Sequence, residues 1–406
     1  MYQILILRIL RFDTNLFVNQ IRTMKIVNIC LVAYIDGWGY QDNLLPEYEN
    51  TAGHEVVVIT SANHFPSYID KETKETIQKK GHDYYYNGVH IYRINTYINT
   101  SNLTFICTGI YCILKKEKPD IIFHHGINSS SLLICSLYKA LNKNIKFYVD
   151  NHADYINESK NELWNRLVIG GWLKITTSLI QKNIDAFLGV TPARCIYLNE
   201  RFGIQKDNIF LLPIGCDSRN FDSISQSISD IKKDFGIPSN SFIISSGGKM
   251  GKDKGTIELI KAFNSIRKDN YYLILYGKFT DKESEELSKK TQNIIYAGWC
   301  DRIRTLKILK MSNIAIWPIH HTTLIEDAIA ASTPLIIRKT MNTIHLIDGN
   351  GEFIHQGFQE EIISAINKLT SNYEKYTIKA TEIRNKIDYK NIVNQIISAN
   401  FSTWRY

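Results

Sequence analysis

Ser245 to Gly255 reads SSGGKMGKDKG, and this stretch decides how the chain is read. It follows the apolar, β-branched run Phe242-Ile243-Ile244. It precedes Thr256-Ile257-Glu258-Leu259-Ile260-Lys261-Ala262-Phe263, where apolar residues recur at helical spacing. A buried strand, a Gly-rich turn and a helix start are therefore expected. Backbone amides at such a junction point outward, and the helix dipole adds partial positive charge. Lys249, Lys252 and Lys254 add full charges, so the junction suits a diphosphate. The same letters also describe a tight turn with solvated lysines, because Gly-rich strand-to-helix turns are common in α/β folds. What surrounds the stretch has to decide between the two.

Upstream, Lys25 to Val32 reads as a buried strand that ends in Asp36-Gly37-Trp38-Gly39-Tyr40, an opening where a ligand can approach backbone. A helix is expected over 41–51, a strand over 54–60 with His54 structural at its start, and a strand over 89–94. Further helices are expected at 103–116, 129–141, 162–181 and 192–202. Strands at 119–126, 146–150, 186–190 and 208–212 alternate with them. Such alternation makes a parallel sheet covered on both faces. The polar run SRNFDSISQSISDIKKD then reads as a linker. A second alternation starts at Phe242, with strands at 272–275, 294–296, 314–317, 335–337 and 352–354. Its tail, 373–400, reads as helical with a break near Asp388-Tyr389. Four parts result: a leader over 1–23, expected to be disordered; an N-terminal Rossmann-like domain over 24–218; a C-terminal Rossmann-like domain over 219–385; and a helix over 386–406 expected to return to the first domain.

The 406 residues fit two domains. A net charge of +8 suits a polyanionic substrate or an anionic membrane surface and is too diffuse to indicate nucleic acid. Seven cysteines without a CxxC pair read as free thiols, mostly buried, in a reducing compartment. The opening MYQILILRILRFDTNLFVNQIRT is too short and too charged to span a bilayer, and Met24 reads as the structural start. Membrane contact, if any, is expected to be peripheral.

No GxSxG, HExxH or EF-hand spacing occurs. His124 and His125 are adjacent on a strand and point oppositely, as do His320 and His321, so a shared metal ion is not expected. Three stretches should meet in the cleft between the domains: the Gly37/Gly39 loop with His152, the Lys249 to Lys254 turn, and Pro318 to Asp327. In the last, the amides of Thr322, Thr323 and Leu324 could cradle phosphate where a helix begins, and a carboxylate one turn on could accept from a ribose. The plainer reading is a Thr cap with acidic residues in the first turn.

From roughly Met24 to Thr370 the chain resembles the glycosyltransferase group 1 proteins, the large family 4 of retaining enzymes with the GT-B fold. The resemblance is carried by MKIVNIC and GHEVVVIT, NIFLLPIGCDSRNF, SGGKMGKDKGTIELIKAF, IIYAGWC, NIAIWPI and DAIAASTPLII, in that order. It implies two doubly wound Rossmann-like domains facing a central cleft. It implies Lys249 and Lys254 balancing the diphosphate leaving group, without a cofactor or metal, and His152 touching the donor sugar. Donor contacts are implied at Gly37, Gly39, Gly248, His320, Thr322, Thr323, Leu324 and Asp327. The family's paired glutamates depart here: the second aligns with Asp327 and the first with Ile319, while Ser332 replaces a Gly. Glu326 and His320 are the polar residues at hand to take the first one's place.

The implied function is a metal-independent retaining transfer of a sugar from a nucleotide-diphosphate donor to a saccharide or lipid-linked saccharide, in surface polysaccharide assembly. The implied location is cytoplasmic, peripheral on the inner face of the membrane, with no nucleic-acid partner. A nucleotide-sugar epimerase of similar fold, or a non-catalytic sugar-binding member of the family, shares the pattern.

Overall fold

A computed structural model describes residues 22–401 except 33, 67–68 and 101–102. Residues 1–21 of the expected leader and the last five residues of the chain lie outside it. The first alternation gives β1 (Lys25–Ile29), β2 (Glu55–Ser61), β3 (Asp83–Tyr86), β4 (Val89–Ile94), the hairpin β5 (Thr96–Thr100) and β6 (Leu103–Cys107), then β7 (Ile121–His124), β8 (Lys146–Asn151), β9 (Ala186–Gly189) and β10 (Ile209–Leu211). The second gives β11 (Phe242–Met250), β12 (Tyr271–Phe279), β13 (Ile294–Gly298), β14 (Ile314–Trp317), β15 (Leu335–Arg338) and β16 (Gly351–Ile354). The first sheet runs β10-β9-β8-β7-β1-β2-β4-β3, and only β3 pairs antiparallel. The second runs β13-β12-β11-β14-β15-β16 and is parallel throughout. Their central strands are fully buried Val, Ile and Leu runs, as strands covered on both faces must be.

β11 extends further than its sequence implies. It stays paired with β12 through Lys249↔Lys278 and Met250↔Phe279, so Ser245 to Met250 is strand and not turn. The glycines serve strand packing. A Cβ on Gly247 would lie 2.1 Å from the Tyr276 ring, so only glycine lets that buried ring cross β11. The turn itself shrinks to Gly251–Gly255. A short 3-10 segment Lys252–Lys254 fills it, and Gly255 at φ +73° leads into the helix Thr256–Ile266.

Other expectations are corrected by the same kind of local physics. Leu103–Cys107 is a strand rather than the start of a helix. Its β-branched and aromatic residues pair with 96–100, and the helix begins after Gly109, as Ile110–Glu117. The expected linker holds two short capped helices, Ser218–Asp222 and Ile228–Asp234, whose Asp217 and Ser227 side chains accept from Asn220 and Asp230 amides. Helix Lys71–Lys79, capped by Asp70, buries only Ile77 and so carries little periodic signal. Residues 162–180 form one helix with a π-helical middle, Asn165–Leu173. Cys112 is exposed and Cys300 half-buried, while the other five thiols are buried. His54 is structural, its Nδ1 accepting from the Met24 amide at 3.2 Å.

The helix Tyr389–Ser398 packs on the first sheet's side of the molecule. Tyr389, Ile392, Val393 and Ile396 share a core with Leu44, Leu45 and Tyr48 of the helix Gln41–Thr51. Truncating fully buried Ile396 should therefore cost the fold. Ile396→Ala is expected to lower the free energy of unfolding by about 2–5 kcal/mol in urea denaturation. A loss under about 0.5 kcal/mol, the range of ordinary surface substitutions, would mean the helix is not docked there.

Candidate functional site

A cleft of about 420 Å³ opens between the carboxyl edges of the two sheets. The first domain's wall is built on Asp150, the penultimate residue of β8, which is completely buried. Its carboxylate accepts from the Gly126 amide (2.9 Å), His125 Nδ1 (3.0 Å), His152 Nε2 (2.9 Å) and Gln41 Nε2 (3.2 Å). Asp42, in the first turn of Gln41–Thr51, stands 3.1 Å from the same His125 nitrogen. Burial alone would lower the His125 pKa, but the Asp150 and Asp42 carboxylates outweigh it and raise it to about 9. Burial works to raise Asp150, yet His152 and His125 hold it well below the usual carboxylate range. Glu49, behind this wall, accepts from Asn28 Nδ2 at 2.6 Å and is pushed up by burial to about 8. His124 turns the other way, to the Gly126 carbonyl and the Ser131 hydroxyl, as alternation along a strand requires.

The second domain's wall is organised by Arg302, the first residue of the helix Arg302–Met311, which Asp301 caps. The Arg302 guanidinium lies 2.5 Å from Asp327 Oδ2 and 3.5 Å from Asp217 Oδ2. Burial opposes its charge, but the two carboxylates hold its pKa above the ordinary arginine value. Asp217 sits where the chain crosses between domains and also accepts from the Tyr48 hydroxyl at 2.9 Å. Beside this cluster His321 donates to Glu326 Oε1 at 2.9 Å, and Glu326 Oε2 is buried with no partner. Across the cleft Arg194 rises from the first turn of Pro192–Phe202. Its Nε and Nη1 are buried with no partner, and burial lowers its pKa.

Of the residues expected in the cleft, Gly39, His152, Thr322, Thr323 and Asp327 line it. Lys249, Lys254, Gly37, Gly248, His320 and Leu324 do not. Lys249 ends exposed on β11 because that strand runs on to Met250. Lys254 pairs with Asp253 at 3.1 Å on the Gly251–Gly255 turn. That turn is fastened to the opposite loop, since His320 Nε2 donates to the Asp253 carbonyl at 3.1 Å and a Cβ on Gly255 would meet Pro318 at 2.8 Å. Lys254 is thereby held beside the loop that carries His321 and Thr322. Gly37 faces the Tyr86 hydroxyl instead of the cleft, and Leu324 lies over Gly248. Thr323 makes no side-chain cap, and the helix after it, Leu324–Ala330, has only seven residues. Asp327 lines the cleft but has Oδ2 committed to Arg302. Ile319 rests on the backbone at Gly255 and Gly357, so Glu326 is the glutamate that lines the cleft.

Four residues escaped the sequence reading: Asp42, Asp150, Arg194 and Arg302. Each sits at a strand end or in a first helical turn, and only the meeting of separate elements gives it a role. His125, one of the paired strand-end histidines, likewise takes its role only from Asp150 and Asp42. Among the described residues, ligand atoms of Asp42, His125 and His152 lie within 4.8 Å of one another, a spacing that could hold a metal ion. The nitrogens that face the carboxylates are already engaged in hydrogen bonds.

Residues 42–220 match the family described as Glycosyltransferase Family 4, and residues 227–386 match Glycosyl transferases group 1. Between them the two matches span most of the chain, and the chain belongs to the group 1 / family 4 glycosyltransferases. No curated protein matches it in sequence. Its fold is GT-B. A glycosyltransferase from Rickettsia africae ESF-5 is similar at 16% identity and TM-score 0.64, over 93% of this chain and 100% of that one. Anabaena HepE, in complex with UDP and glucose, is similar at 14% identity and TM-score 0.61, over 93% and 99%. WaaG, a glycosyltransferase involved in lipopolysaccharide biosynthesis, is similar at 14% identity and TM-score 0.55, over 93% and 99%.

The buried imidazolium makes stability depend on pH. His125 moves from an ordinary 6.5 to about 9 in the fold, so its stabilising charge is fully present below pH 6.5 and is lost as pH rises through 9. Glu49, raised from 4.5 to about 8, adds a loss of the same sign up to pH 8. The melting temperature is expected to fall between pH 6.5 and 9.5. His125→Gln should flatten most of the part above pH 8, and an identical slope in that variant would contradict the assignment.

Proposed function

We propose that this chain is a retaining glycosyltransferase that moves a sugar from a nucleotide-diphosphate donor to a saccharide or lipid-linked saccharide. We propose further that it works without a metal, at the inner face of the membrane, in surface polysaccharide assembly. The observation that carries this reading is the cleft between the sheet edges, with His152 on one wall and Thr322, Thr323, Glu326 and Asp327 on the other. Ligands of open parallel sheets bind at such carboxyl edges. Family membership supports sugar transfer, and a UDP- and glucose-bound neighbour of like fold supports the donor class.

In such a transfer the bond from the anomeric carbon to the diphosphate oxygen breaks, and its electron pair leaves with the diphosphate. The acceptor hydroxyl bonds to that carbon and gives up its proton to the departing diphosphate. Charge therefore develops on phosphate oxygens, and fixed cations stabilise it most when water is excluded. Lys254, outside the cleft lining but on the turn fastened to the His320–Thr322 loop, is the residue assigned to that charge, whereas Lys249 stands exposed on β11. His152, held by Asp150, faces the donor sugar. Arg194, with two buried nitrogens unpartnered at the cleft, is a further cation available to an anionic substrate group.

The test is donor hydrolysis and transfer by the purified protein, screened across UDP-, GDP- and ADP-sugars. Lys254→Ala is expected to lower turnover by about 10²–10³. Proton NMR of the first product should find the donor's anomeric configuration kept. Unchanged turnover would remove Lys254 from the leaving-group site, and an inverted product would overturn the retaining mechanism.

A further inference from the structure

The helix spanning 162–180 carries its apolar residues on the wrong side for a water-soluble surface. Leu173, Thr176, Thr177 and Ile180 face the core. Leu163, Leu167, Trp172, Ile175 and Leu179 face outward at 64%, 60%, 42%, 61% and 72% exposure. A scattered exposed leucine needs no explanation, but five in one row on one helix do. The steps between them are four, five, three and four residues. The five-residue step, Leu167 to Trp172, falls inside the π-helical stretch Asn165–Leu173. A π-turn takes about one more residue than an α-turn, so it returns Trp172 to the side that a regular α-helix would have turned it from. The irregularity keeps the outward row together.

One neighbouring helix carries further exposed leucines. The helix Ser131–Leu141 packs beside Lys174–Ile180 and leaves Leu137 and Leu141 exposed at 55% and 65%. Exposed cations stand among the apolar groups: Arg166, Lys174 and Lys182, with Lys143 just beyond Leu141. Glu162 is the acidic residue on the same helix, at its start. Among the described residues no helix is long and apolar enough to cross a membrane.

We propose that the row Leu163–Leu167–Trp172–Ile175–Leu179 seats the protein on an anionic lipid surface. A helix with an exposed Leu/Trp row and basic residues beside it lies in the plane of the headgroups, its apolar groups in the acyl boundary and its cations on lipid phosphates. The basic flank favours this occupant over a second copy of the chain, whose face would bring the same cations together. The inference deepens the peripheral position proposed above and does not depend on the sugar-transfer reading.

Co-sedimentation of the full chain with vesicles, without any sugar substrate, tests it. The protein is expected to bind phosphatidylglycerol/phosphatidylcholine vesicles at low salt and to bind pure phosphatidylcholine vesicles at least tenfold less. Leu167→Glu with Leu179→Glu should weaken binding at least tenfold with an unchanged far-UV circular dichroism melt. Arg166→Glu with Lys174→Glu, which leaves the apolar row intact, should do the same. Equal binding by both double variants would assign membrane contact to another segment, such as residues 1–21, and overturn the proposal. So would absence of vesicle binding, or a wild-type dimer that Leu167→Glu with Leu179→Glu converts to monomer. Donor hydrolysis measured in solution on the same variants reports the cleft separately.

Discussion

One guanidinium holds the two walls of the cleft in register. Arg302 opens a helix of the second domain, yet it reaches Asp217 at the crossover as well as Asp327 in its own domain. Asp217 in turn accepts from Tyr48 of the first domain's first helix. A chain of charge-assisted bonds therefore runs from one sheet's helices to the other's, through a single arginine. Its planar fork can meet two carboxylates at once, which a lysine could not reproduce. Removing it would leave Asp327 and Asp217 buried and uncompensated, a far larger penalty than the net worth of the pair. Gly39 lies against the same side chain, so the loop after β1 is positioned by it too. Asn342 adds a second bridge, meeting Asp154 at 2.9 Å and Thr191 at 2.6 Å across the domains.

The walls differ in electrostatic character. The first is a hydrogen-bonded network in which Asp150 accepts from two histidines and a backbone amide, so His152 is held in place. The second leaves Glu326 Oε2 buried and unpartnered, while Arg194, with two buried nitrogens unpartnered, stands in the first domain. A site preorganised in this way spends little on reorientation when charge moves during reaction. The β11 glycines belong to the same construction at one remove. They let the Tyr276 ring cross the strand, and so allow β11 to run to Met250 and deliver the Gly251–Gly255 turn against Pro318.

Much of this was legible in the sequence. The two alternations, the parallel sheets they build and the meeting of Gly39, His152, Thr322, Thr323 and Asp327 were within reach of period and spacing. The reading failed where tertiary contact overrides local signal. Ser245 to Gly248 looks like a turn because its glycines are more often used for freedom than for room, and only the Tyr276 ring across the sheet reveals the difference. The hairpin at 96–107 was hidden behind apolar residues whose spacing fits helix or strand equally. Asp150, Arg194 and Arg302 carry no motif at all. Asp150 ends an apolar run, while Arg194 and Arg302 open helices. Beyond nearby His152, Asp150 finds its partners Gly126, His125 and Gln41 24, 25 and 109 positions away, and Arg302 reaches Asp217 and Asp327 on separate elements, so no local pattern marks them.

Hydrogen–deuterium exchange of the full chain with and without saturating UDP, GDP or ADP tests most directly that the cleft is a nucleotide-diphosphate site. Saturable protection is expected for at least one of the three, confined to Gly251–Thr256, His320–Asp327 and the Gly39–Asp42 segment. Protection elsewhere, or none with any of the three nucleotides, would contradict a donor site between these walls.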